Sequence, residues 1–159
     1  MSKSNSELVE ALKEAFKERR RPEILSGSNS LADFEKQELD EFCVSHYSDL
    51  TSSLLEENYG ALSWMNSDAF AFYLPWILGK SIEDDSPDNM SVDSILSMLD
   101  RGGDSSIWDD FFNSRWRFFS IQELTSIEKW LSWAFNNMVH NSFDRAFTTM
   151  RILKFEAEN

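Results

Sequence analysis

Hydrophobic positions along this chain recur at three- and four-residue spacing, the mark of helices that bury one face. Leu8, Leu12, Ala15 and Phe16 form the first such stripe, with Val9 at its edge and Glu and Lys residues opposite. Ser4-x-x-Glu7 in front of the stripe reads as a capping box, and Pro22 as the stop. Lys17, Arg19, Arg20 and Arg21 fall in the last predicted turn, where cations complement the helix dipole. Residues 23–31 read as a loop. A predicted helix over 32–46 follows, with Leu31, Phe34, Leu39, Phe42 and Cys43 as its apolar set. A short helix over 49–58 turns Leu50, Leu54 and Leu55 inward, and Gly60 breaks it.

The stretch 67–79 is the most apolar. Ser67 is a good N-cap, with Asp68 in the first turn. Phe70, Tyr73, Leu74 and Ile77 share one face, while Phe72 and Trp76 point the other way. A helix that is apolar all round sits at the centre of a bundle. Pro75 removes the bond to Ala71 and kinks the predicted helix, and Gly79 reads as its C-terminal cap. After an acidic loop over 80–90, a helix over 91–101 turns Val92, Ile95, Leu96 and Leu99 inward, and Gly102-Gly103 stops it. Residues 104–119 carry Trp108, Phe111, Phe112, Trp116, Phe118 and Phe119, too many aromatics for a free loop, so this stretch is expected to anchor on the core.

A second capping box, Ser120-x-x-Glu123, opens a helix predicted over 120–139. Its stripe is Leu124, Ile127, Leu131, Phe135 and Met138, with Trp130 on the flank and Trp133 about half a turn away from Leu124. The last predicted helix begins at Asn141 and buries Phe143, Ala146, Phe147 and Met150, leaving Ile152 and Phe155 off the stripe. The pattern therefore predicts an all-α fold: a single-domain bundle of about six or seven helices over residues 1–159, with the 67–79 helix central and the last two helices packed against it.

Composition supports this reading. Hydrophobic residues make up 42% of the chain, with 13 Phe and 6 Trp, which excludes a disordered protein. Only 5 Gly and 3 Pro are present, which suits helices better than strands and turns. The lone cysteine, Cys43, leaves no intrachain disulfide and no thiol-built zinc cage. The opening residues lack the apolar core of a signal peptide, and no apolar run approaches the ~18 residues of a membrane span. A cytoplasmic protein is expected.

Two stretches carry a resemblance. Residues 61–79, Ala-Leu-Ser-Trp-Met-Asn-Ser-Asp-Ala-Phe-Ala-Phe-Tyr-Leu-Pro-Trp-Ile-Leu-Gly, resemble the signature helix of a bacterial family of small uncharacterised proteins, whose members carry a Phe-x-Tyr-Leu-Pro motif. Residues 118–135 resemble that family's later helix rich in Leu and Trp. The resemblance implies a bacterial origin and a helical domain. It brings no activity and no functional residues.

Charge changes the picture most. The chain holds 28 acidic and 15 basic residues, a formal net charge of −13. Between Glu83 and Asp110 stand nine acids (Glu83, Asp84, Asp85, Asp88, Asp93, Asp100, Asp104, Asp109, Asp110) and one base, Arg101, which leaves −8 there. Such a surface repels nucleic acid and anionic membrane and attracts a basic protein. Trp108 and Trp116 stand among Asp109, Asp110 and Arg115, the pattern of an apolar anchor ringed by charge. The expected contact surface is therefore Asp84, Asp85, Asp88, Asp104, Trp108, Asp109, Asp110 and Trp116.

Candidate chemistry is sparse. No phosphate loop, nucleophile elbow or zincin helix is present, and no cofactor is expected. Cys43 and His46, three apart on one predicted helix with Asp40 and Glu41 nearby, are the one pairing with metal-ligand spacing, set against a buried Cys beside a polar His. His140 falls in a predicted helix junction and reads as structural. The paired acids Asp84/Asp85, Asp109/Asp110 and Glu56/Glu57 read as solvated rather than as acid–base catalysts. The expectation is a non-enzymatic immunity or antitoxin-like protein that occludes a cognate basic toxin. The alternative is a small metal-dependent enzyme or regulator using Cys43, His46 and nearby carboxylates.

Overall fold

The computed structural model of the chain describes residues 1–138 and 143–159. Nine α-helices lie among the described residues: α1 (Lys3–Ala15), α2 (Asp33–Phe42), α3 (Ser52–Glu57), α4 (Ala61–Trp64), α5 (Ser67–Glu83), α6 (Met90–Leu99), α7 (Asp110–Trp116), α8 (Ile121–Asn137) and α9 (Asp144–Glu158). Two 3₁₀ turns, Tyr47–Asp49 and Ser105–Ile107, sit between them. The all-α bundle predicted from the sequence is what forms. The positions Val139, His140 and Asn141, invoked above at the last helix junction, lie outside the described residues.

The central helix is α5. Eleven of its residues are buried, on every side, from Ala69 and Phe70 through Tyr73, Leu74, Pro75, Ile77 and Leu78 to Ile82. It packs against α1, α3, α6, α7 and α8. Asn66, rather than Ser67, caps it: the side-chain oxygen accepts from Ala69 N at 2.8 Å while the amide nitrogen donates to Ile24 O at 2.7 Å. Asn66 thereby fastens the 23–31 loop, which also pairs Ser26 with Met65 in an isolated antiparallel bridge. Gly79 does not end the helix, which runs one turn further, to Glu83.

One side of the bundle is α1 against both α5 and α8, with α9 closing over α8 and α6. On the other side α2 packs on α3 and α4, and α3 leans on α6. The first helix starts two residues earlier than predicted. Ser2 caps it by accepting from Asn5 N, so Ser4 lies inside the helix and the expected Ser4–Glu7 capping box is absent. It ends at Ala15, before the bases, because two of the guanidiniums are drawn inward. Arg19 makes a two-pronged pair with the buried carboxylate of Glu123, at 2.7 and 2.9 Å. Arg21 donates to the Tyr73 hydroxyl at 2.7 Å and to Cys43 O at 2.9 Å. Arg19 and Arg21 thus clamp elements together, while Arg20 donates to Lys17 O and Lys17 pairs with Glu14, both at the helix end.

The same contacts explain why α2 stops at Phe42 instead of reaching residue 46. The last carbonyls of a helix need partners. Here Arg21 takes Cys43 O, and the Tyr73 hydroxyl donates to Val44 O at 2.7 Å. The tyrosine of the Tyr-Leu-Pro stretch therefore joins α5 to the end of α2 and to the chain leaving α1. The capping box of α8 forms as predicted, with Ser120 N donating to Glu123 at 2.8 Å and Glu123 N donating to the Ser120 hydroxyl.

Candidate functional site: an uncompensated acidic face

The acidic segment does not form one surface. It is divided by α6, a ten-residue helix about 15 Å long. At the C-terminal end of α6 the acids are used locally. Asp100 pairs with Arg145 at 3.1 Å, and Asp109 pairs with Arg101. Asp109 also caps α7, accepting from Phe112 N at 2.8 Å, and this bond, helped by Arg101, holds its carboxyl below the usual range. Asp104 accepts from the Ser106 hydroxyl and backbone N, bonds that hold its carboxyl down as well. Asp110 sits in the first turn of α7, where the helix dipole favours a carboxylate.

The N-terminal end of α6 is different. Asp84 closes α5 and accepts from the Ser52 hydroxyl of α3 at 2.6 Å. Asp85 follows with a left-handed backbone, φ 48°, a conformation that costs a non-glycine residue energy and turns the chain sharply. Asp88 precedes Asn89, the cap of α6. Glu56 of α3 reaches across to accept from Met90 N at 3.0 Å, and the Ser91 hydroxyl donates to Leu55 O. These bonds lock α3 onto the α5–α6 turn and hold the Asp84 and Glu56 carboxylates in place.

Among the described residues, none of Glu56, Glu57, Asp84, Asp85, Asp88 and Asp93 has a cation within ion-pair distance. Partial burial pushes the Asp93 carboxyl above the usual range, and the neighbouring charges of Asp88 and Glu56 push it further. Mutual repulsion on an ordered scaffold is the electrostatic character of this face. Glu56 and Asp93 were not singled out as site residues from the sequence. Their membership depends on α3 packing against α6, which no local pattern announces.

Trp108 and Trp116 correct the expectation of exposed anchors. Trp108 is 6% exposed and donates its ring N–H to Gly102 O at 3.0 Å. Trp116 is 0% exposed, stacked on Phe112 and edge-on to Phe70 and Phe119. Arg115 beside it is also buried, lying 3.7 Å over the Phe111 ring and donating to Met65 O. Both tryptophans belong to the core that seats α7 on α5, so of the expected contact residues only the aspartates remain at the surface.

The Cys43/His46 pairing also loses its geometric basis. Cys43 is the residue after α2, with a buried thiol that burial pushes up to about 12. His46 lies beyond the helix in an extended, exposed position before the Tyr47–Asp49 turn. The two therefore do not share a helix face. No group of three metal-ligating side chains gathers among the described residues.

Residues 4–107 match a family described as "Family of unknown function (DUF6714)", and the chain belongs to that family. The matched stretch includes residues 61–79 and the whole acidic face, and stops short of 118–135. No curated protein and no solved structure matches the chain. No helix among the described residues is long and apolar enough to cross a membrane.

Proposed function

We propose that this member of the family is a binding protein that neutralises a basic protein partner by stoichiometric occlusion, as a bacterial immunity protein or antitoxin does in the cytoplasm. The contact surface is the face formed by Glu56, Asp84, Asp85, Asp88 and Asp93. The observation that carries the reading is the uncompensated charge itself, which adds to burial in raising the Asp93 carboxyl and is held by α3 and the α5–α6 turn. A cation-rich partner, such as a nuclease whose own cleft must attract phosphate, relieves that repulsion on docking. Long-range attraction of this kind speeds encounter and weakens with salt.

The test is capture from the native host with tagged protein, identification of what is retained, and binding measured with both components purified. A basic partner bound at one-to-one stoichiometry, with association slowed by salt, supports the proposal. So does loss of that binding when the five carboxylates are neutralised to Asn and Gln while Asp104→Asn binds as wild type. A partner held equally by the neutralised variant removes this face from the interaction, and retention of no basic protein removes the function.

A further inference from the structure

A second feature lies between α1 and α5, at the Tyr47–Asp49 turn. A cavity of about 350 Å³ opens there, lined by Val9, Phe16, Tyr47, Phe72, Pro75 and Trp76, with Gly79 in its wall. That volume falls in the range of small-ligand sites. Its aromatic lining is preassembled: Trp76 packs against Tyr47 at 5.8 Å and against Phe72 at 4.9 Å between ring centroids. Gly79 keeps the wall thin where any side chain would run into Tyr47.

The charged residues lining the cavity are Lys13, Lys17 and Arg19, all cationic, in a chain whose net charge is −13. Arg19 is committed to Glu123. Lys13 and Lys17 are not committed in the same way. Each pairs with a glutamate one turn back on α1, Glu10 and Glu14, on side chains that are largely solvent-exposed. Exposed pairs of that kind hold their partners weakly, so an arriving carboxylate displaces them cheaply. Lys13 already leans over the Tyr47 ring, with Nζ 5.1 Å from its centroid.

We infer that this cavity is a binding site for a small aromatic carboxylate: a body of one or two rings seated among Phe72, Trp76 and Tyr47, with its anionic head against Lys13 and Lys17. The inference is independent of the acidic face and of the proposed partner.

The probe is 2-naphthoate, with the uncharged 2-naphthamide as its isosteric control, each titrated into the full chain by calorimetry. The indole N–H resonances are followed by NMR, and the Trp76 signal is assigned through Trp76→Phe. Saturable one-site binding of naphthoate is expected, with the Trp76 resonance shifted and naphthamide bound roughly fivefold to tenfold more weakly. In the Lys13→Gln/Lys17→Gln variant, whose changes fall on solvent-exposed side chains in the last turn of α1 and just beyond it and leave the core intact, naphthoate weakens to the level of naphthamide. Absence of saturable naphthoate binding by the folded protein overturns the inference. Equal binding of the two probes to wild type, or naphthoate binding that is indifferent to the loss of both lysines, overturns it as well.

Discussion

Tyr47 and Gly79 are fitted to one another: a Cβ on Gly79 would stand 2.7 Å from the Tyr47 hydroxyl oxygen, which is buried and has no hydrogen-bond partner. The ring carbon bearing that oxygen would be 3.6 Å away, an ordinary contact. The hydroxyl is therefore both an unpaired polar group and the sole obstacle to a side chain at position 79. Tyr47→Phe is expected to raise stability by about 1 kcal/mol, since an unpaired buried donor is removed. Gly79→Ala alone is expected to lower it by about 1–2 kcal/mol through overpacking. Combined with Tyr47→Phe, Gly79→Ala changes sign and adds up to ~1 kcal/mol, the gain of Ala over Gly in a helix interior. Urea unfolding of the four proteins in the cycle reads all three values. Additive effects would disprove the steric coupling.

Arg19 and Glu123 join the chain leaving α1 to the first turn of α8. Glu123 is buried and also accepts from Ser120 N, whereas the Arg19 side chain is 30% exposed. Removing one partner of a buried pair strands the other. Arg19→Met is expected to cost about 2–3 kcal/mol after allowance for that exposure, and Glu123→Ala somewhat more because Ser120 N loses its acceptor as well. Thermal unfolding of both variants checks the order, and a larger loss for Arg19→Met would contradict it.

Asp109 gives the bundle an acid-sensitive joint. Its carboxyl is held below the usual range by the Phe112 backbone N–H and by Arg101. A group whose folded pKa is depressed contributes stability above its unfolded pKa, near 3.9, and loses it as the pH falls through the folded value. Asp109→Ala is expected to cost about 1 kcal/mol at pH 7, the usual worth of an N-cap, and progressively less as the pH drops below about 4. Unfolding curves across that range test this, and a deficit independent of pH would assign the loss to packing instead.

Cys43 is expected to be inert in the folded protein. The residue is 3% exposed, and with a pKa pushed up to about 12 the reactive thiolate is scarce at neutral pH. Reaction with a disulfide reagent should follow unfolding, accelerating with urea as the unfolded population grows. Rapid stoichiometric labelling of the native protein would show that the end of α2 opens readily.

The sequence made α5 and α8 legible for different reasons. In α5, apolar residues on every side left only a central position open to it, and five neighbouring helices now cover it. In α8, Ser120 and Glu123 satisfy each other's backbone groups within one turn, so local spacing was sufficient. Stripe reasoning failed where a helix has two neighbours. α8 lies between α1 and α9, so Trp133 is buried although it stands off the Leu124–Ile127–Leu131 line, while Phe135, placed on that line, is 51% exposed. Phe34 was likewise expected inside and is 69% exposed, while Leu31, Leu39, Phe42 and Cys43 of the same set pack on or in the core.

The surface was legible only in part. Local acid density was plain, but which carboxylates stay unpaired depends on Arg101 and Arg145 reaching Asp109 and Asp100, and on α3 bringing Glu56 to Asp93. The buried state of Trp108 and Trp116 follows from α7 lying on α5, a contact between residues as far apart in sequence as Phe70 and Trp116. The cationic cavity needed both α1 and the Tyr47 turn, which no single window of sequence contains.

The family match ends at residue 107, yet α1 and α5, which lie inside it, are completed by α8, which lies outside. A fragment of residues 1–107 would leave Phe16 without Phe119, Phe70 without Trp116 and Phe119, and Arg19 without Glu123. Such a fragment is expected to lack a cooperative unfolding transition and to bind hydrophobic dyes, whereas the full chain unfolds in one step. A cooperative, dye-silent fragment would show that the matched stretch is self-sufficient.

The clamp between Arg19 and Glu123 has a consequence in time as well as in space. The two residues are 104 positions apart. At ordinary translation speeds that separation amounts to roughly 5–20 s of synthesis. For an interval of that length α1 has emerged from the ribosome while the helix that covers its second side has not. The earliest-made helix of the bundle is therefore the part of the nascent chain most available to chaperones and proteases.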